Sequence, residues 1–323
     1  MRTAFLCRLT GALILAACAI SAQAQQFPSK PITIIVPFPA GSITDVVARN
    51  IAEKMRVSLG QPVIVEAKPS VGGIVGAAHV ARATPDGHTI LLGSNSTNSI
   101  NQSLFRHLPY DPGKELIPVS MAGEIPAVMI ARADHPANDL KEVIQLAKSK
   151  PGQLSVGIGN TTSRVASEML QKNAGFQWIT VPYKGEPLAV NDLLGGQIDY
   201  VFLNLPVAYP MLKAGKVKAI ALTGADRVEM MPDIPRANET QPDFMMPNGW
   251  LAFFAPAGTP RPVVERLNKE VEAALKAPDV IQKLEGTGGY IVRYSSPEEL
   301  GTRVRHDKER WASLIKTANI PLQ

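Results

Sequence analysis

The stretch Ile32-Thr33-Ile34-Ile35-Val36-Pro37-Phe38-Pro39-Ala40-Gly41-Ser42-Ile43-Thr44-Asp45 sets the fold class. Its first five residues are β-branched throughout, the pattern of a strand buried on both faces. The prolines and Gly41 end it. Beyond them Val47, Ile51, Met55 and Leu59 recur four apart, one face of an amphipathic helix, and Gly60 stops that helix. The same unit repeats outward. Strands are predicted at Pro62-Val63-Ile64-Val65 and, after the turn Pro85-Asp86-Gly87, at Thr89-Ile90-Leu91-Leu92. A helix through Leu140, Val143, Ile144 and Ala147 ends near Pro151-Gly152. Further strands fall at Leu154-Ser155-Val156, Trp178-Ile179-Thr180-Val181, Ile198-Asp199-Tyr200-Val201-Phe202 and Val217-Lys218-Ala219-Ile220-Ala221-Leu222. Helices through Val264, Leu267 and Val271 and over residues 297–318 complete the chain. Strands alternating with helices predict an α/β protein whose parallel sheets carry helices on both faces.

Ahead of this pattern sits a segment of another kind. Arg2 and Arg8 precede an uncharged apolar run over residues 9–20, and Ala22-Gln23-Ala24 suits cleavage before Gln25. Residues 1–24 therefore read as a secretory signal peptide. Leu15-Ala16-Ala17-Cys18 also fits a lipoprotein box that would leave a lipidated Cys18, and a membrane anchor is the third reading, although the run is shorter than a span needs. Cleavage after Ala24 leaves 299 of the 323 residues and removes both cysteines, so the mature chain has neither disulfides nor thiolate chemistry. It keeps 31 basic and 28 acidic residues, a net charge of +3. With no basic run interleaved with aromatics, nucleic acid is not an expected partner. Length predicts about two domains.

In open α/β sheets, ligands bind beyond the carboxyl ends of strands, so the strand-to-helix loops carry the function. In the first, Gly41 lets the backbone approach a ligand, and Ser42, Thr44 or Asp45 can cap a helix whose free N–H groups attract an anion. Asp45 opposes a bare anion and is expected to take backbone N–H groups or water. The second, Gly93-Ser94-Asn95-Ser96-Thr97-Asn98, offers five small hydrogen-bonding side chains in a row. In the third, Gly157-Ile158-Gly159-Asn160-Thr161-Thr162-Ser163-Arg164, hydroxyls stand beside helix-end amides and Arg164 can grip a second carboxylate as a fork. The fourth, Tyr183-Lys184-Gly185, adds an aromatic face with a hydroxyl at its tip. Each also has a plain reading as a cap or solvated turn.

Other chemistry finds little support. In Gly72-Gly73-Ile74-Val75-Gly76, Val71 breaks the dinucleotide fingerprint, leaving close packing of helix on strand as the better explanation. No Gly-x-Ser-x-Gly elbow surrounds Ser94 or Ser96. His79, His88, His107, His135 and His306 form no metal-type pair and lie outside the four loops. Neither an enzyme activity nor a cofactor or metal is expected.

A run of short motifs over the whole mature chain then carries a resemblance. They are Lys30-Pro31-Ile32-Thr33-Ile34-Ile35-Val36-Pro37-Phe38-Pro39-Ala40-Gly41, Leu59-Gly60-Gln61-Pro62-Val63, Ala83-Thr84-Pro85-Asp86-Gly87, Leu108-Pro109-Tyr110-Asp111-Pro112, Val181-Pro182-Tyr183-Lys184-Gly185, Asp192-Leu193-Leu194-Gly195-Gly196-Gln197-Ile198-Asp199, Ala214-Gly215-Lys216 and Ala255-Pro256-Ala257-Gly258-Thr259-Pro260. In this order they resemble the Bug or TctC family, the extracytoplasmic receptors of tripartite tricarboxylate transporters. The resemblance implies a type II periplasmic-binding-protein fold with two lobes, a cleft and two crossover segments. The crossings are expected in residues 117–130 and 217–223, giving a discontinuous first lobe (27–124 and 225–323) and a second lobe (125–224). It implies a monomeric periplasmic receptor that captures a dicarboxylate, tricarboxylate, amino acid or aromatic acid by lobe closure and presents it to a tripartite-type permease, or, as an alternative, to a sensor. The implied contacts are Phe38, Ala40, Gly41 and Asp45, then Ser94, Asn95, Ser96 and Thr97, then Thr161, Thr162 and Ser163, with Tyr183 and Asn204. Ser42, Ile43, Asn160 and Arg164 depart from the family pattern at the cleft, Ile43 favouring a more apolar ligand body and Arg164 a second acidic group.

Overall fold

The computed structural model describes residues 27–224, 227–286 and 288–322. The proposed signal peptide and lipid-bearing Cys18 lie outside them. Among the described residues the strands form two sheets. The first begins with β1 (Ile32–Val36), whose side chains are almost all buried, and β1 pairs in parallel with β2 (Val63–Ala67) and β3 (Thr89–Ser94). Helix α1 (Ile43–Leu59) joins β1 to β2, and α2 (Ile74–Ala81) joins β2 to β3. After β3 a wide helical turn over Ser96–Ile100 runs into the short α3 (Asn101–Leu104). The chain then enters β4 (Leu116–Ile125) and, past Pro126, β5 (Ala127–Arg132). Those two strands belong to different sheets, so the first crossing is made at Pro126.

The second sheet grows from β5 by α4 (Leu140–Ser149), β6 (Ser155–Ile158), α5 (Thr161–Ala174), β7 (Ile179–Pro182), α6 (Glu186–Leu194), β8 (Tyr200–Asn204), α7 (Leu205–Lys213) and β9 (Val217–Leu222), in the order β7-β6-β8-β5-β9. The chain returns through α8 (Ala237–Thr240) to β10 (Gly249–Pro256), then α9 (Arg261–Leu275), α10 (Pro278–Glu285), β11 (Ile291–Val292) and α11 (Pro297–Thr317). The first sheet reads β11-β4-β10-β3-β1-β2.

Two expectations are corrected. The sheets are mixed rather than parallel: β10 runs against β3 and β4, and β5 against β8 and β9. Residues 217–223 do not carry the chain back, because β9 stays beside β5. The return is made later, since Val228, Ile234, Ala237, Phe244 and Met246 still pack on the second sheet.

Each sheet is covered on both faces. One of the four cores is shared along the chain. It joins Ile100 and Leu104, which precede the first crossing, to Val156, Leu170, Tyr200 and Phe202 of the second sheet's layer, and to Trp311, Ile315 and Ile320 at the C-terminus. Leu300, at the other end of α11, packs instead with Ile35, Leu91 and Trp250 of the first sheet. Helix α11 thus belongs to both halves. Buried Asp307 accepts the Trp250 indole N–H, and Arg303 reaches Glu124 at 2.9 Å. Trp311 is fully buried, so Trp311→Ala is expected to cost about 3–5 kcal/mol. Urea unfolding followed separately by the two halves' signals would show the loss in the second half as well as the first; an unchanged midpoint would contradict the shared core.

Candidate ligand cleft

The strand-to-helix turns of the two sheets meet. At the start of α1, Gly41 adopts φ 80°, the left-handed region open to glycine, and Ser42 caps the helix by accepting the Asp45 N–H at 3.3 Å. Asp45 turns its carboxylate back onto the Gly41 N–H at 3.2 Å and pairs with Arg49 at 3.0 Å, which balances its charge. The backbone N–H groups of Ile43 and Thr44, in the first turn, have no intrahelical acceptor, and both residues line the cleft. After β3, Ser94, Asn95 and Ser96 line the same cleft, and the buried Ser94 hydroxyl has no protein partner.

The opposite wall comes from the second sheet. Asn160 caps α5 by accepting the Ser163 N–H at 2.8 Å, and Ser163 returns a bond to Asn160. Thr162 faces the cleft and accepts the Asn95 side-chain amide at 2.8 Å, a link across the gap. Asn204 ends β8 and starts α7. Between them stands Glu186, in the first turn of α6 and 4% exposed. Its carboxylate accepts the Asn160 side-chain amide at 2.8 Å, the Asn204 backbone N–H at 2.8 Å and the Asn204 side-chain amide at 3.2 Å. Gly159 permits this: a Cβ there would lie 2.5 Å from the Glu186 nitrogen. Burial pushes the Glu186 carboxyl up to about 7, against the pull of its amide donors. The floor is Ile125 at the first crossing with Gly249, Trp250 and Leu251 of β10.

Of the residues expected from sequence, Phe38, Ser42, Ser94, Asn95, Ser96, Thr162 and Asn204 are gathered on the cleft. The others stand elsewhere. Ala40 and Gly41 are exposed on the turn, and Asp45 lies beneath it. Thr97 is buried in its own loop, its hydroxyl accepting the Ser94 N–H. Ser163 completes the α5 cap. Thr161, Arg164 and Tyr183 line a neighbouring cavity; the Tyr183 hydroxyl donates to Asp192 at 2.7 Å, and Arg164 donates to the Pro321 carbonyl at 3.0 Å. Ile43 and Asn160, expected at the cleft as departures from the family pattern, line it, and Thr44, Gly159, Glu186, Ile125 and the β10 residues join it without having been named as contacts.

Glu186 makes stability depend on pH. Its folded pKa of about 7 lies above the ordinary 4.5, so the folded chain holds a proton that the unfolded chain has released. That stabilisation is complete below pH 4.5 and is lost as pH rises through about 7, a change on the order of 3 kcal/mol. Subtracting the unfolding free energy of Glu186→Gln from that of the parent, across about pH 4 to 8, is expected to reveal this decline; a pH-independent difference would refute it.

Residues 47–320 match the model of a family described as the tripartite tricarboxylate transporter family receptor. A UPF0065 protein of Bordetella pertussis is 39% identical over 293 residues, covering 89% of this chain and 90% of the relative. Among solved structures, the periplasmic binding protein BugD is 36% identical with a TM-score of 0.87, over 92% of this chain and all of that one (100%). MatC from Rhodopseudomonas palustris with bound malate is 34% identical with a TM-score of 0.85, over 90% of this chain and 100% of that one. With this type II periplasmic-binding-protein architecture, the chain belongs to the Bug or TctC family of solute-binding receptors.

Proposed function

We propose that the chain is a periplasmic receptor that closes two lobes over a small carboxylate-bearing molecule and presents it to a tripartite tricarboxylate-type permease, acting as a monomer and without catalysis. The first lobe comprises residues 27–124 with the C-terminal part, and the second residues 125–224 together with the segment through Met246. Export by the signal peptide over residues 1–24 brings it to the periplasm. No helix of the described residues is long and apolar enough to cross a membrane.

The observation that carries the reading is the first-lobe side of the cleft. There the unpaired N–H groups of Ile43 and Thr44 and the partnerless Ser94 hydroxyl converge at a helix start. On the second-lobe side the protein's own Glu186 occupies the amide donors. A ligand carboxylate is therefore held by the first lobe, and the second closes on the rest of the molecule. Malate bound to the related MatC fits this class of ligand. The cleft as it stands encloses about 30 Å³, room for roughly two waters. A dicarboxylate enters only as the lobes part, and closure over it gives the permease a shape to recognise.

A panel of mono-, di- and tricarboxylates, malate included, tests the reading by thermal shift. At least one acid is expected to raise Tm, by about 2.7 kcal/mol of stabilisation at a hundredfold excess over Kd. No response to any member would sink the proposal. Ser94→Ala removes a hydroxyl that no protein group uses. It is expected to leave unfolding unchanged and to weaken that acid about fivefold, as loss of one hydrogen bond does; undiminished affinity by calorimetry would remove Ser94 from the site.

A further inference from the structure

A second cavity, of about 180 Å³, begins at Asn160, which also lines the cleft. Its walls are largely apolar, formed by Val71, Phe105, Ile158 and Pro182. Two polar groups on it lack partners. Thr161 is 3% exposed, and its hydroxyl makes no hydrogen bond. Arg164 spends one guanidinium nitrogen on the Pro321 carbonyl at 3.0 Å, while Nη1 is buried without an acceptor. Native structures rarely leave buried donors unpaired, and a guanidinium edge suits a carboxylate.

We propose that this cavity is a second ligand site, for a single carboxylate on a compact apolar body, with Arg164 and Thr161 as its donors. Charge sets the limit to one acid group. Among the described residues Glu168 is the other charged side chain on the cavity, and it lies within reach of the guanidinium's field without forming an ion pair. A dianion meets its repulsion, whereas a monoanion neutralises Arg164 alone. Apolar walls favour a ring or branched chain over an inorganic anion. The occupant also touches both halves. A Cβ on Gly72 would lie 3.3 Å from the Thr161 methyl, so the turn before α2 closes directly over the first residue of α5.

Co-crystals of the full chain with 4-bromobenzoate locate the bromine by anomalous scattering, and calorimetry with the same acid compares the parent with Arg164→Met and Thr161→Val. The bromine is expected between Val71, Phe105 and Pro182. Affinity is expected to fall about tenfold in Arg164→Met and severalfold in Thr161→Val, as loss of a charge-assisted and of a neutral hydrogen bond requires, with malate binding the same in all three. Bromine in the cleft, no binding to the parent, or equal affinity in both variants would overturn the proposal. So would loss of malate binding in Arg164→Met, which would make Arg164 part of the cleft while leaving the receptor reading intact. Thr161→Val nearly preserves side-chain shape and keeps the comparison decisive should the Arg164 variant loosen the C-terminus.

Discussion

The second half of the cleft is organised around one buried carboxylate. Three helices, α5, α6 and α7, begin within hydrogen-bonding reach of Glu186, and each helix start carries partial positive charge. Without the oxygens of the Glu186 carboxyl group, the side-chain amides of half-buried Asn160 and Asn204 and the Asn204 backbone N–H would lose their acceptors, a costly state. Glu186 satisfies all of them at once and fixes the loops after β6, β7 and β8 relative to one another. It also keeps the amide donors of Asn160 and Asn204 occupied on the second half's side of the cleft. Among the described residues lining the cleft, the Ile43 and Thr44 N–H groups at the start of α1 and the Ser94 hydroxyl keep free donors on the first half.

The shared core constrains how the cleft opens. Ile100 and Leu104 lie packed with Leu170, Tyr200 and Trp311 in continuous apolar contact, whereas Asn95 and Thr162 are joined across the cleft by a single hydrogen bond. Parting the latter loses about 1 kcal/mol; prising apart the former exposes several large side chains to water, which costs considerably more. The lower-energy opening keeps the core together and swings the turns apart, with Pro126 and the return segment before β10 as the connecting threads. Glu186 moves with the second half as a unit, because all its partners belong to that half.

Local sequence pattern revealed the strands other than β4, β5, β10 and β11, the longer helices and the loops that form the cleft, since period and turn chemistry are properties of neighbouring residues. It revealed less about facing. Thr161, Thr162, Ser163 and Arg164 read as one polar cluster, yet consecutive residues at a helix start point about 100° apart. Thr162 enters the cleft, Ser163 folds into the cap, and Thr161 and Arg164 face the neighbouring cavity. Glu186 reads as an ordinary first-turn acid; what makes it special is burial against Asn160 and Asn204, residues distant in the chain. Trp250 and Leu251 were invisible for a related reason. They lie on a strand that arrives antiparallel from a late part of the chain, and strand direction leaves no local mark. The mixed character of the sheets was missed on the same ground.

Helix α11 has a consequence for how the molecule is made. Ribosomes deliver the chain from its N-terminal end, and the middle segment, from β5 to β9, emerges well before Trp311, Ile315 and Ile320. Helices α4 and α5 already cover the aromatic layer of Trp178, Tyr200 and Phe202 by then, but the junction with Ile100 and Leu104 lacks part of its packing until those last side chains arrive. The packing that joins the two halves is therefore completed last. A chain fastened in this order holds its two halves together firmly only once Trp311, Ile315 and Ile320 are in place.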